Sequence, residues 1–242
     1  MVFDELQLFF GRDYKINDYI TIKHPKLKEI CDFGEQEYYS LVCALTAIPS
    51  YYKVQLFDAG HDYETISDFN FFYTMCKNLP EGSSSMFFDK LELSAIEPAV
   101  RKDNQETIYY DPVNDVIIDE SSYIIIAEYL RTIHGLVKKV EKAGNAKSKR
   151  WFIERDRRKM ERVKDKPFKS QLKPIVSALV NCEKFKYNHT TVLDLPIYVI
   201  HDSLNQINRS ISFDHLMQGV YAGTVDFKQL SSDSQTWIEN LD

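Results

Sequence analysis

The apolar positions of the chain change period twice, and each change marks a different kind of element. Phe3 to Phe10 alternates ahead of the turn signal Gly11-Arg12-Asp13, and Tyr19 to Ile22 follows, which predicts a β-hairpin. Pro25 then opens a helical stretch that Gly34 ends. From Glu35 onward, Tyr38, Tyr39, Leu41, Val42, Leu45 and Ile48 recur at helical spacing. Pro49-Ser50 punctuates, Tyr52 to Phe57 predicts a short helix closed by Gly60, and Ser67 is placed to cap a helix running to Leu79. The turn-forming run Pro80 to Ser85 ends this first part.

Beyond it the period shortens. Met86 to Leu93, Ile96 to Val100, Thr107 to Tyr110 and Val116 to Ile118 read as short strands of a small antiparallel sheet. Lys102-Asp103-Asn104 and the run Asp111 to Asp115 supply the turns between them. Asp119 or Ser121 caps a helix whose apolar positions run from Tyr123 to Val137. After a weak break at Ala143 to Ala146, the helical pattern returns over Ser148 to Lys164 with only Trp151, Phe152, Met160 and Val163 as apolar content. Such a helix cannot bury a broad face and is expected to project from the body. Pro167 ends it. Ser170 then caps a short apolar helix, Pro196 starts one reaching Arg209, and Ser212 caps another that Gly223 closes. A final turn, Val225 to Leu230, leads to Trp237.

The predicted class is therefore α+β and mostly helical. It has an N-terminal hairpin plus helices (1–82), a small antiparallel sheet followed by the long basic helix (83–166), and a C-terminal helical module (167–242).

Charge sharpens the middle of that picture. Leu136 to Lys166 holds 13 of the 30 Lys+Arg and 5 of the 36 Asp+Glu, a net +8 in a chain of net −6. The remainder sums to −14. The chain is 44% hydrophobic, enough for a packed core, and its 8 Gly and 8 Pro argue against a turn-dense β-sandwich. Its four cysteines (Cys31, Cys43, Cys76, Cys182) lie apart in apolar contexts, as buried free thiols in a reducing compartment would. MVFDELQLFF lacks the basic and long apolar regions of a signal peptide, and no apolar run approaches the roughly 20 residues of a membrane span. A cytoplasmic protein without membrane contact is expected.

No catalytic pattern accompanies these features. The six histidines show neither H-E-x-x-H nor a Cys neighbour at metal-ligand spacing, and no glycine-rich phosphate loop occurs. His201-Asp202-Ser203 has the letters of a triad, but neighbours on one helix point about 100° apart and cannot converge. The expectation is a non-enzyme with no metal and no cofactor.

The candidate binding residues are Lys147, Lys149, Arg150, Trp151, Arg155, Arg157 and Arg158. They could neutralise phosphates with Trp151 stacking on bases, or meet an acidic protein surface or a second copy of the chain. Glu154 and Arg158 already form an i,i+4 pair, and the rest of the chain is acidic, so a protein partner is favoured over nucleic acid. Reversing Arg150, Arg155, Arg157 and Arg158 is expected to leave such a thinly packed helix folded. The Tyr- and Phe-rich helices over 35–48 and 67–79 read as core, any exposed part being a protein-binding patch.

Two stretches carry a family resemblance. Phe10 to Leu45, FGRDYKINDYITIKHPKLKEICDFGEQEYYSLVCAL, resembles the opening of small virion-morphogenesis proteins of tailed bacteriophages of Gram-positive hosts. Ser177 to Leu230 is similar to their C-terminal helical module, with Tyr221, Gly223, Val225 and Asp226 in a Y-x-G-x-V-D pattern before the late Trp237. The resemblance implies a tail-assembly chaperone that binds the tape-measure and tail-tube proteins in the host cytoplasm. It also admits a structural tail, neck or baseplate subunit retained in the virion.

Overall fold

The structure, a computed structural model, describes residues 3–231 and 234–238. Those residues form nine α-helices and two small antiparallel sheets, a mostly helical α+β fold. The chain opens with α1 (Glu5–Phe9), because Asp4 Oδ1 accepts from the backbone N–H of Leu6 and Gln7 and nucleates a turn. This overturns the strand expected over Phe3 to Phe10. The alternation there has no buried face behind it: Leu6, Phe9 and Phe10 are exposed, and only Phe3 and Leu8 point inward. The expected hairpin lies one step downstream, where β1 (Tyr14–Lys15) pairs with β2 (Thr21–Ile22), Tyr14 opposite Ile22.

Three helices then form the near wall of the core: α2 (Leu27–Phe33), α3 (Glu35–Thr46) and, past a single 3-10 turn at Pro49–Tyr52, α4 (Lys53–Asp58). Ser67 Oγ accepts from the N–H of Asn70 to start α5 (Asp68–Cys76). Met86 to Leu93 is no strand. Phe87, Phe88, Leu91 and Leu93 are all buried, yet the only backbone ladder there is a lone bridge between Phe88 and Ile22. Apolar spacing identified what is inside but not how the backbone gets there.

The three remaining expected strands exist as β3 (Glu97–Val100), β4 (Thr107–Asp111) and β5 (Val116–Ile118), ordered β3-β4-β5 with Tyr109 opposite Pro98 and Ile118. Asp119 caps α6 (Glu120–Ile133), the central element, which buries Tyr123, Ile126, Ala127, Tyr129, Leu130 and Ile133. Its Arg131 is also buried, donating 2.7 Å to the carbonyl of Thr46 and 2.6 Å to Glu128, so the charge is satisfied inside.

Asn145 caps the basic helix α7 (Ala146–Val163) in a reciprocal exchange with Ser148. Then come α8 (Leu172–Val180) and α9 (Ile197–Tyr221). The two helices expected over 196–223 are one: Ser210 and Ser212 lack the power to break a helix that contains neither Gly nor Pro between Ile197 and Gln218. At about 100° per residue, Ile200, Leu204, Ile207 and Ile211 share one side of α9, whereas Phe213, Leu216, Met217 and Val220 share the opposite side. Past Gly223 the chain folds back, and the N–H groups of Thr224 and Val225 both donate to the Gly219 carbonyl.

One buried cluster runs from Phe3 through Leu45, Phe72, Leu93 and Leu130 to Ile200, with no member from α4 or α7. The start of α9 is sewn to the N-terminal part by two backbone bonds, Leu27 N–H to the Leu195 carbonyl (2.9 Å) and Ile197 N–H to the Pro25 carbonyl (3.0 Å).

Candidate protein-binding surfaces

Helix α7 does not project. Its Ile153 is buried, and its inner side lies on α4 and the loop that follows. What replaces a broad apolar face is a set of ion pairs. Lys53, at the start of α4, has a side chain only 4% exposed and reaches both Glu141 and Asp156, the latter at 2.7 Å. Arg155 grips Glu141 with one nitrogen, 2.8 and 2.7 Å from its two oxygens, and bonds Asp156 at 2.8 Å. The Arg155 guanidinium also lies 5.3 Å over the ring of Trp151 and 5.2 Å over Phe152.

Further along, Lys149 pairs with Asp62 and, at 2.8 Å, with Glu64, while sitting 5.0 Å over the Tyr63 ring. Arg157 closes on Asp58, with one nitrogen 2.9 Å from Oδ2. These contacts set the protonation of the carboxylates. Burial works against the charge of Asp156, but hydrogen bonds from Arg155 and Lys53 outweigh it and hold its pKa well below the usual carboxylate range. Glu141 is lowered by its hydrogen bond to Lys53, and Glu64 by its hydrogen bond to Lys149.

The seven residues expected to bind a partner thus divide. Lys149, Arg155 and Arg157 are engaged by the protein's own acids. Lys147 and Arg150 are exposed and have no ion pair among the described residues, and Arg158 reaches only Glu154 at 3.8 Å. Trp151 is 57% exposed. The outer side of α7 therefore stays net cationic, with Trp151, Glu154, Arg155, Arg158, Lys159 and Arg162 bordering a shallow cavity of about 220 Å³.

A second surface lies against α3. Between α3 and the end of α5, a mostly apolar groove of about 860 Å³ is lined by Phe33, Tyr39, Leu41, Ala44, Tyr52, Met75 and Leu79. Phe168, 46% exposed in the segment after α7, stands at its rim. Its walls come from the very helices whose aromatic content read as core. Helical spacing marks Tyr39 and Tyr52 as apolar-facing but cannot tell a filled interior from an open trough, because that depends on what packs opposite. Cys43 borders the groove and is exposed, yet the groove walls desolvate its thiol and raise its pKa. All four cysteines are free, but only Cys76 is buried. Cys31 and Cys43 are exposed and Cys182 is half-buried, which corrects the expectation that each lies inside.

Among the described residues no group of His, Cys, Asp and Glu is arranged to hold a metal ion, and no helix is long and apolar enough to cross a membrane. His134 is buried and structural. Its Nδ1 lies 2.6 Å from the Leu130 carbonyl, which can only accept, so Nδ1 carries the proton and Nε2 accepts from the Tyr38 hydroxyl at 2.6 Å.

Residues 163–242 match the family described as the YomV second domain. The matched third of the chain begins on the last residue of α7 and takes in α8, α9 and the folded-back turn. That family is Bacillus phage-derived, and the match is compatible with a phage protein. No curated protein and no solved structure matches the chain significantly.

Proposed function

We propose that this chain is a non-enzymatic phage tail-morphogenesis protein of the tail-assembly chaperone type, acting in the host cytoplasm on the tape-measure and tail-tube proteins. The observation that carries the reading is the open groove between α3 and α5. At about 860 Å³ it is at the upper end of small-molecule sites, but its wall is aromatic and aliphatic and few charged groups converge in it. That chemistry suits the apolar stripe of an amphipathic helix, the recurrent helix-in-groove mode of recognition. A long tape-measure helix offers such stripes and needs them covered before assembly. The phage-derived match over 163–242 supports the setting.

Co-expression with a phage tape-measure protein tests this. The wild-type chain should keep that protein in the soluble fraction and co-purify with it. Ser40→Arg places a long cation in the groove from an exposed position and should abolish the effect without unfolding the chain. A tape-measure protein that stays insoluble with the wild-type chain would end the chaperone reading. The chain's presence in purified virions by mass spectrometry would favour a retained structural subunit.

A further inference from the structure

We propose that the chain associates with a second copy of itself, the outer side of α7 on one copy meeting the acidic β3-β4-β5 sheet of the next. The inference is independent of the groove. It starts from how charge is distributed once internal pairs are removed. Helix α7 carries eight Lys+Arg against three Asp+Glu, and Lys149, Arg155 and Arg157 are neutralised from within. Arg158 and Lys159 are met on the same helix by Glu154 at 3.8 Å and Asp156 at 3.4 Å, which leaves Lys147, Arg150 and Arg162 exposed and without an ion pair among the described residues.

The opposite sign is concentrated elsewhere. Asp89 to Glu120 holds nine Asp+Glu against three Lys+Arg, a net −6. Of these, Glu97, Asp103, Glu106, Asp115 and Glu120 are exposed and form no ion pair among the described residues. No described ion pair joins this segment to α7, whose internal partners come from Lys53 to Glu64 and Glu141. The charge of the two faces is therefore only partly met within one copy, and it is complementary between two.

Each face also has an apolar centre inside its charged rim. On α7 it is Trp151. On the sheet it is Ile117, 44% exposed, which the register sets beside Tyr110 on the same face as Glu97. An apolar core with a polar rim is the usual anatomy of a protein interface, and Trp is enriched where binding energy concentrates. A nucleic acid fits less well. Outside Leu136 to Lys166 the body carries −14, which repels a polyanion that extends beyond the helix, whereas a second copy offers a bounded acidic patch. Because the two faces differ, the contact is head-to-tail and builds either a closed ring or an open chain of copies.

Sedimentation velocity of the full chain tests this at about 0.05 M and about 0.5 M salt, where the Debye length falls from roughly 14 to 4 Å. The expected result is an oligomer at low salt that dissociates at high salt. Arg158→Glu with Arg162→Glu should weaken association at least about tenfold, and so should Glu97→Lys with Glu106→Lys. A chain carrying all four reversals, whose net charge is unchanged, should regain it. Circular dichroism of each variant verifies the fold. The proposal is overturned by a wild-type monomer at low salt, by association that neither pair of reversals affects, or by failure of the fourfold variant to recover. It is equally overturned if the monomer instead binds a single-stranded oligonucleotide through α7.

Discussion

The ammonium of Lys53 lies 2.7 Å from the carboxylate of Asp156, with the lysine side chain almost wholly enclosed. A cation brought inside in this way stabilises only while its partners stay charged and in place. It therefore makes α7 conditional on the residues beneath it. Asp156→Ala should leave Lys53 with Glu141 alone and cost about 1–3 kcal/mol, below the full cost of breaking a buried pair because Asp156 is itself 22% exposed. Arg158→Ala, whose pair is solvent-exposed, should change stability by less than about 0.5 kcal/mol. Urea midpoints at neutral pH compare the two.

Charge reversal on α7 should split by face. Arg155→Glu with Arg157→Glu sets like charges against Glu141 and Asp58 and should lower the thermal midpoint and loosen the helix. Arg150→Glu with Arg158→Glu should leave the midpoint unchanged. The uniform tolerance expected of a projecting helix therefore holds only for its outer side. Proteolysis within 142–147 would report the loosening.

Acid should weaken the fold before the carboxylates titrate. Burial pushes His134 down to about 4, partly offset by the Leu130 carbonyl, and pushes His24 down to about 4, partly offset by Asp13. The unfolded chain binds protons at these sites near pH 6.5 and the folded chain does not. The unfolded state thus holds more protons between these values, and stability falls as pH drops from about 6.5 toward 4, by up to about 3 kcal/mol for each histidine. Urea midpoints across that range should slope upward with pH. His134→Leu should flatten the slope even though it strands the Tyr38 hydroxyl and lowers stability at pH 7.

Two glycines with similar backbone angles should respond differently to alanine. Gly135 has φ +62 and open space around it, so Ala there should cost only the left-handed strain of about 1–2 kcal/mol. Gly11 has φ +61, but a Cβ would lie 2.3 Å from Cγ of Pro196, the residue that starts α9. Its replacement should cost about 2–4 kcal/mol, strain plus displacement of the seam between the first turn and the last long helix. Thermal midpoints of the two variants separate these contributions.

How much of this was legible depends on whether the signal was local. The helices over 68–76 and 120–133 and the strands over 97–118 follow from period and caps, because Ser67, Asp119 and the Asp111 turn act within a few residues. The segment over 86–93 did not, since Phe87 and Leu93 are buried by distant contacts that impose no period. The docking of α7 was hidden for a related reason. Its partners Asp58, Asp62, Glu64 and Lys53 lie roughly 80 to 100 residues upstream, and a salt bridge leaves no periodicity in either segment. The trace that existed was compositional: an acidic loop over 58–64 of opposite sign to the helix. The groove was half-legible, its wall residues being named as apolar but not as open.

The switch of apolar side along α9 has a mechanical consequence. The first half is anchored to the body through Ile200, Leu204 and Ile207, whereas Phe213, Leu216, Met217 and Val220 look the other way. With 25 unbroken residues, about 37 Å, the helix acts as a stiff lever whose handle is fixed and whose far end presents a grip rotated by half a turn. A load applied at Tyr221 passes along the helix to the seam at Pro25 and Leu27, shared on the way with Lys184, which holds Ser210 and Asp214.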